Sequence, residues 1–419
     1  MKTENKKDDD MQITAVLEKL FLICLALGLT SRAIEKGVEA GFILLAVLFG
    51  LALFFSRTSW NTKGTFHTIQ TFFKPWENKA LVLAIISFAV SSYNGVNPEY
   101  SMKQWQQVLA VFLGGALLTL GVKHIQNETI EKLAKYMAWA GGAFSVMILL
   151  ETSGLGLLIS EQIRDLDKAP LHAQIRSFSS VIAVTIPFAW VYALRDKSLI
   201  AWVPSLLMVS GAFACGGRAG WLSLTLAFIA FYFVYDWKSL VQKSQAKSLY
   251  ILHFILGPAF GLFIYKTMVG DSFFTKRLEL TGDEAGGSGR TDIWAFTFDK
   301  FLENPIMGVG VKGFRHLDFS THQLTSTMHP HNALLELLLE TGVVGTFFIC
   351  TFAGVGFVKL VQAMLNKRKH NQNSDMQTAL ILCFFAFAVC SMTLTSIFHA
   401  WWLTFFVVLY VLSLKARKI

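Results

Sequence analysis

Charge is what this sequence has least of. Asp, Glu, Lys and Arg supply only 16% of its 419 residues, against about a quarter in soluble domains, so the water-soluble globular class is excluded. The 5 cysteines (Cys24, Cys215, Cys350, Cys383 and Cys390) form no CxxC pair. All but Cys215 lie inside apolar runs and read as small buried hydrophobes, not disulfide partners or metal ligands. No basic stripe is interleaved with stacking aromatics, so the net charge of +9 is not the footprint of a nucleic-acid binder. There is no internal repeat and no matched pair of broken helices, which argues against an inverted-repeat transporter.

What is present is apolar. Hydrophobic residues make up 53% of the chain and aromatics 14%, with a mean hydropathy of +0.49. Apolar runs occupy 13–30, 41–55, 80–90, 108–122, 136–150, 178–194, 199–214, 219–235, 249–269, 333–358, 378–394 and 397–414. Read as helices, with their ends extending into the flanking loops, they predict about twelve transmembrane spans. Lys and Arg gather in alternate connections: Arg57, Lys63, Lys74 and Lys79; Lys123, Lys132 and Lys135; Arg195 and Lys197; Lys238, Lys243 and Lys247; and Lys367, Arg368 and Lys369. Both ends of the chain, with Lys2, Lys6, Lys7, Lys415, Arg417 and Lys418, fall on that same side. This bias places both termini in the cytoplasm. No small-residue cleavage site follows the first run, so it is expected to be a retained anchor.

The expected organisation is nine spans with short loops over 1–269, one large external loop over 270–332, and three spans over 333–419. Long ordered loops are usually functional. This one reads as a Gly-rich turn (282–289), then a short amphipathic helix from about Thr291 with Ile293, Trp294, Phe296 and Phe301 apolar, ending before Pro305. A turn punctuated by Gly308, Gly310 and Gly313 follows, then a Ser/Thr/His-rich stretch. The other external loop of any size covers 152–177.

Four of the ten histidines, His316, His322, His329 and His331, sit in the long loop. In His329-Pro330-His331-Asn332, proline holds His329 extended and Asn332 is placed to cap the tenth span. His331 then stands near the positive end of a helix, which favours a neutral, proton-accepting imidazole. A capping segment whose histidine merely hydrogen-bonds at the interface accounts for the same placement. Arg218 lies in the short turn Cys215-Gly216-Gly217-Arg218-Ala219-Gly220-Trp221, where glycines permit close backbone approach. A guanidinium there can grip a phosphate bidentately or simply snorkel to the surface. Arg290, after Gly286-Gly287-Ser288-Gly289, and Arg176, entering the sixth span, are further candidates; for Arg290 the alternative is an ordinary solvated loop arginine. Together these side chains suit a polyprenyl diphosphate: cations to stabilise the leaving group and a base for an attacking hydroxyl. A preactivated lipid-linked donor also fits a face without ATP. His329 and His331 lack supporting ligands at a zinc spacing. Asp165-Leu166-Asp167 reads as solvated loop before it reads as a cation site.

At these residues the chain resembles the O-antigen ligase family. The matching pieces are Gly217 to Trp221, Ser288-Gly289-Arg290 with Trp294, Asn304-Pro305-Ile306-Met307-Gly308-Val309-Gly310, His331 to Leu337 running on to Gly342 and Gly345, and Ser396 to Leu403 with Trp401-Trp402. Motif detail covers the second half of the chain, and the topology covers all of it. Ser177-Phe178-Ser179-Ser180, after Arg176, departs from the glycine-and-asparagine pattern of many relatives. The resemblance implies an all-α, GT-C-like polytopic protein of the Gram-negative inner membrane, with one large periplasmic loop between spans nine and ten. It implies a membrane glycosyltransferase that joins O-antigen from undecaprenyl diphosphate to a sugar hydroxyl of lipid A-core, with neither ATP, metal nor other cofactor. His331 would activate the acceptor, and Arg218 and Arg290 would hold the donor diphosphate. Arg176, His329, Asn332 and Trp294 are expected to support them. Its partners would be the lipid-linked donor, the lipid A-core acceptor and membrane lipids, with no nucleic acid. O-antigen polymerases and protein O-oligosaccharyltransferases share the architecture and differ in acceptor; polymerases often carry two large arginine-bearing loops, and here one dominates. A transporter or flippase would place ionisable residues mid-span, whereas Lys19, Glu336 and Glu340 read as lying near span ends.

Overall fold

The computed structural model describes residues 2–31, 36–57, 75–153, 171–196, 198–239, 243–270, 290–319, 328–393 and 395–418. Among them every regular element is helical. In hydrocarbon no water is available to peptide groups, so a spanning segment must satisfy its N–H and C=O groups internally, and a helix does so. The helices are α1 (Lys2–Thr30), α2 (Lys36–Arg57), α3 (Trp76–Tyr93), α4 (Pro98–His124), α5 (Asn127–Glu131), α6 (Leu133–Thr152) and α7 (Leu171–Asp196). They continue as α8 (Trp202–Ala214), α9 (Arg218–Val234), α10 (Lys243–Val269), α11 (Arg290–Glu303), α12 (Ala333–Lys369), α13 (Asp375–Ser391) and α14 (Ala400–Ala416). Six described helical stretches are long and apolar enough to cross a membrane: Gln12–Thr30, Pro98–His124, Asn127–Thr152, Ile175–Asp196, Ser244–Thr267 and Ala333–Lys369. Five more are apolar but shorter. The protein is therefore a polytopic helical membrane protein.

Each apolar run read from the sequence corresponds to one of these helices, with shifts of boundary that include the 3-10 turn Leu199–Ala201 ahead of α8 and Tyr235 just past α9. The run 378–394 stops being helical after Ser391, and the last helix begins at Ala400 instead of 397. Between them Glu336 Oε2 accepts a hydrogen bond from Ile397 N at 2.8 Å, and Ser396 Oγ accepts from Phe398 N at 3.1 Å. Side-chain acceptors have taken backbone donors there that a continuous helix would have paired internally.

Helix α7 is the centre of the bundle: 89% of its membrane-length window is buried, and it packs against α6, α8, α9 and α13. Small residues set the spacing, as expected where packing and not water exclusion drives helix association. A Cβ on Gly211 of α8 would sit 2.9 Å from Ser145 Cβ of α6, and one on Gly220 of α9 only 2.2 Å from Ser179 Oγ of α7. A second core joins α3, α4, α12 and α14 around Phe88, Phe112, Phe352 and Leu403.

The helix ends separate into two polar faces. On one, Glu77 Oε1 pairs with Lys359 Nζ at 2.6 Å and Arg417 Nη1 at 3.7 Å, Arg195 pairs with Asp375, and Arg368 and Lys415 donate to the carbonyls of Val234 and Ile125. Cations closing helix C-terminal carbonyls stabilise those ends. On the other face lie 91–101, 215–220, 290–319, 328–340 and 395–400, the segments that carry the candidate chemistry.

There, residues 290–319 fold back onto the start of α12. Phe296 of α11 is fully buried against Phe314, Phe319, Val309 and Leu339, so the apolar stripe read at Ile293, Phe296 and Phe301 is the docking face of this helix. Gly342 interrupts α12 at φ 64°, ψ −175°, and its missing Cβ would lie 2.0 Å from Ile306 O. Only glycine occupies that backbone region readily. The bend lets Val343 N reach Pro305 O at 2.9 Å. Gly342→Ala is expected to cost on the order of 1–3 kcal/mol, read as a lowered thermal midpoint of the purified protein in detergent; an unchanged midpoint would refute the strain.

Candidate functional site

The start of α12 builds the platform. Asn332 caps the helix as read from the sequence, its Oδ1 accepting from Leu334 N at 3.1 Å and Leu335 N at 3.2 Å. Two turns on, the buried Glu340 carboxylate accepts from Lys312 N at 2.6 Å and Phe314 N at 3.4 Å. Its main-chain carbonyl accepts from Ser91 Oγ at 2.6 Å and Gly310 N at 3.0 Å. Lys312 Nζ reaches across to Gln104 Oε1 of α4 at 2.8 Å. The Glu340 carboxylate ties α12 to the 308–314 turn, while its main-chain carbonyl and Lys312 Nζ bring in α3 and α4. Glu336 and Glu340 are the groups that sequence reasoning set aside as lying near span ends. Only the folded turn shows that their partners are backbone donors far away in the chain.

The histidines stand on this platform. His331 has a left-handed φ of 54°, uncommon outside glycine but accessible to histidine, and its N–H donates to His329 Nδ1 at 3.3 Å. The two imidazole centroids are 4.1 Å apart, and His399, just before α14, lies edge-on to His329 at 5.6 Å. His399 Nδ1 is 2.8 Å from Thr395 Oγ1. Trp294 Nε1 donates to Pro330 O at 2.9 Å, so α11 holds the His329-Pro330-His331 segment directly. Burial, aided by the nearby charges of His331, His399, Arg315 and Arg290, lowers the His329 pKa to about 3. His329 is consequently neutral at physiological pH.

The arginines approach from two sides. Arg290 opens α11, and its pKa is lowered by burial and by the Arg218 guanidinium beside it. Arg218 opens α9 and remains exposed. The glycines before it allow the close approach that their spacing suggested: a Cβ on Gly217 would sit 2.8 Å from Arg176 O. Ser179 Oγ fills this junction, donating to Arg176 O at 2.7 Å, which gives the serine-rich stretch after Arg176 a packing role. Arg176 is therefore beside the Arg218 turn, and its Nε is buried without a hydrogen-bond partner among the described residues.

The structure thus brings His329, His331, Asn332, Trp294, Arg290, Arg218 and Arg176 to one end of the bundle. His316 stands apart, stacked edge-on against Tyr100 at 4.6 Å. His322, the 282–289 turn and the Asp165 and Asp167 pair lie outside the described residues. Sequence reasoning missed His399, Lys312 and Arg315. The Arg315 guanidinium lies 5.4 Å over the Tyr100 ring, and its Nε too is buried without a partner among the described residues. The available signals were a polar residue at the head of an apolar run and two cations inside a glycine-punctuated turn.

Comparison with known proteins bears on this constellation. Residues 203–350, from α8 through the site and past the bend in α12, match the family model described as O-Antigen ligase. The match spans 148 of the 419 residues. Among curated relatives, a Rickettsia felis protein named "Putative polysaccharide ligase" is 22% identical over 49% of this chain and 53% of its own length. A Rickettsia conorii protein of the same descriptive name is 25% identical over 27% of this chain and 28% of its own. The chain thus aligns with about half or less of the curated relatives it matches. The matched segment contains Arg218, Arg290, His331 and Glu340.

Because the folded-state pKa of His329 lies below its unfolded value of about 6.5, burial of the neutral ring favours folding above pH 6.5, and that contribution is lost as pH falls toward 3. Unfolding of the detergent-solubilised protein should become easier over that window, and His329→Gln should flatten the dependence. An identical pH profile in the variant would refute the assignment.

Proposed function

We propose that this protein is an O-antigen ligase, transferring O-antigen polysaccharide from undecaprenyl diphosphate to a sugar hydroxyl of lipid A-core. The observation that carries the reading is the convergence of the His329 and His331 imidazoles with Arg290 and Arg218 at one polar end of a membrane bundle. In this reading all twelve apolar runs cross the Gram-negative inner membrane. Both termini are cytoplasmic, and 270–332 forms the periplasmic loop.

His331 takes the proton of the acceptor hydroxyl as that oxygen attacks the anomeric carbon. The bond from that carbon to the phosphate oxygen breaks, and undecaprenyl diphosphate departs with the electron pair. Arg218 and Arg290 hold the diphosphate. Burial and the neighbouring Arg218 guanidinium both disfavour the Arg290 charge, which an anion entering between the two arginines relieves, and their planar donors match phosphate oxygens. Trp294, Asn332 and His329 fix the imidazole, and Arg176 supports the Arg218 turn. The donor arrives already activated, so the reaction draws on neither ATP nor a metal.

Deleting the gene and profiling envelope glycolipids tests the reading. Bare lipid A-core with accumulated lipid-linked polymer is expected. Core bearing a single repeat would instead indicate a polymerase, and intact lipopolysaccharide with unmodified glycoproteins an oligosaccharyltransferase. His331→Ala should reduce transfer by roughly 10²–10⁴-fold, the usual scale for loss of general-base catalysis, with membrane insertion intact; near-normal transfer would remove His331 from the mechanism. Arg218→Lys should impair donor use, because an ammonium cannot reproduce the bidentate fork. Unchanged turnover with lysine would overturn the diphosphate clamp.

A further inference from the structure

An apolar cavity of about 610 Å³ opens between α2, α4 and α14, lined among others by Ile43, Val47, Gly114, Leu118, Trp401 and Val408. It contains no Asp, Glu, Lys or Arg, and its polar end is His399, the residue in ring contact with His329. From His399 to Val408 it follows nine residue steps of α14, about 14 Å at 1.5 Å per residue. That is close to half of the roughly 30 Å hydrocarbon core, and the groove starts at the residue that touches His329.

We infer that this groove holds the isoprenoid chain of the lipid diphosphate donor. The inference rests on the donor class of the preceding reading and adds where the lipid lies. A lipid diphosphate is an anionic head on a single apolar tail, and the surfaces here follow the same order: Arg290 with the histidines, then His399, then an uncharged trough between three helices. Ala40, Ala110, Gly114 and Ala400 line the trough with small side chains, leaving room between the helices for an apolar chain.

Two adjacent glycines supply the experiment. A Cβ on Gly115 would lie 2.2 Å from Val407 Cγ1, so that glycine holds α4 against α14. A Cβ on Gly114 meets nothing within 4 Å. Gly114→Trp therefore fills the groove and leaves the helix contact alone; Ala110→Trp does the same one turn away if the first variant folds poorly. The purified full chain in nanodiscs is given one glycan on undecaprenyl diphosphate or on a two-isoprene diphosphate. The ratio of kcat/KM for long over short donor should fall at least tenfold in the variants. An unchanged ratio, or a rise confined to the KM of the acceptor, would overturn the assignment. A diazirine-bearing undecaprenyl diphosphate without glycan should label α4 or α14 of the wild-type protein, and Gly114→Trp should suppress that labelling. Labelling of these helices with no transfer from either donor would sink the ligase reading and leave the groove standing. Transfer with labelling elsewhere would do the reverse.

Discussion

The polar end of the molecule depends on the Glu340 carboxylate. It is buried beside the membrane-spanning part of α12, and its oxygens are used by the N–H groups of Lys312 and Phe314. Leaving a buried carboxylate or buried peptide donors without partners costs several kcal/mol, so the helix and the 308–314 turn can be dry only together. Ser91 and Ser92 of α3 and Gln104 of α4 complete the arrangement by bonding the same turn. Glycine makes the close fit possible at Gly342, where the bend in α12 lies against Ile306, and at Gly95, whose missing Cβ leaves room for Val309 O.

On this frame the site concentrates positive charge around the neutral imidazole of His329. Arg290 is destabilised by burial and by Arg218, and His329 is kept from protonating by burial and by the charges near it. Such an arrangement is unfavourable while empty of anions and is relieved when one binds, the electrostatic form of preorganisation. The neutral His329 offers its Nδ1 to the His331 backbone, which helps hold a left-handed residue that the chain would otherwise avoid. Rigidity therefore comes from hydrogen bonds to backbone.

Much of this was legible in the residues. The apolar runs became helices because lipid allows a spanning segment few other forms. The amphipathic stripe at Ile293, Phe296 and Phe301 became a docked helix ending before Pro305, and Asn332 became a cap, because both are local patterns resolved within a turn or two. The Gly216-Gly217 approach to a neighbour was also legible, although the neighbour, Ser179 and Arg176 on α7, was not. His399 was lost inside an apolar run, and Lys312 and Arg315 looked like ordinary loop cations. Glu336 and Glu340 looked like residues near the end of a span.

The sequence by itself determined the solvent of this protein, the alternation of its basic connections and the local shape of each element, since hydropathy, charge bias and capping act over a few residues. Tertiary structure alone decided which imidazoles meet, which carboxylates are buried as backbone acceptors, and which apolar face leads to the site. Those facts join residues tens of positions apart or more, such as Glu336 with Ile397. No local spacing encodes them, because they arise when polar groups buried at the membrane edge find partners on other elements of the fold.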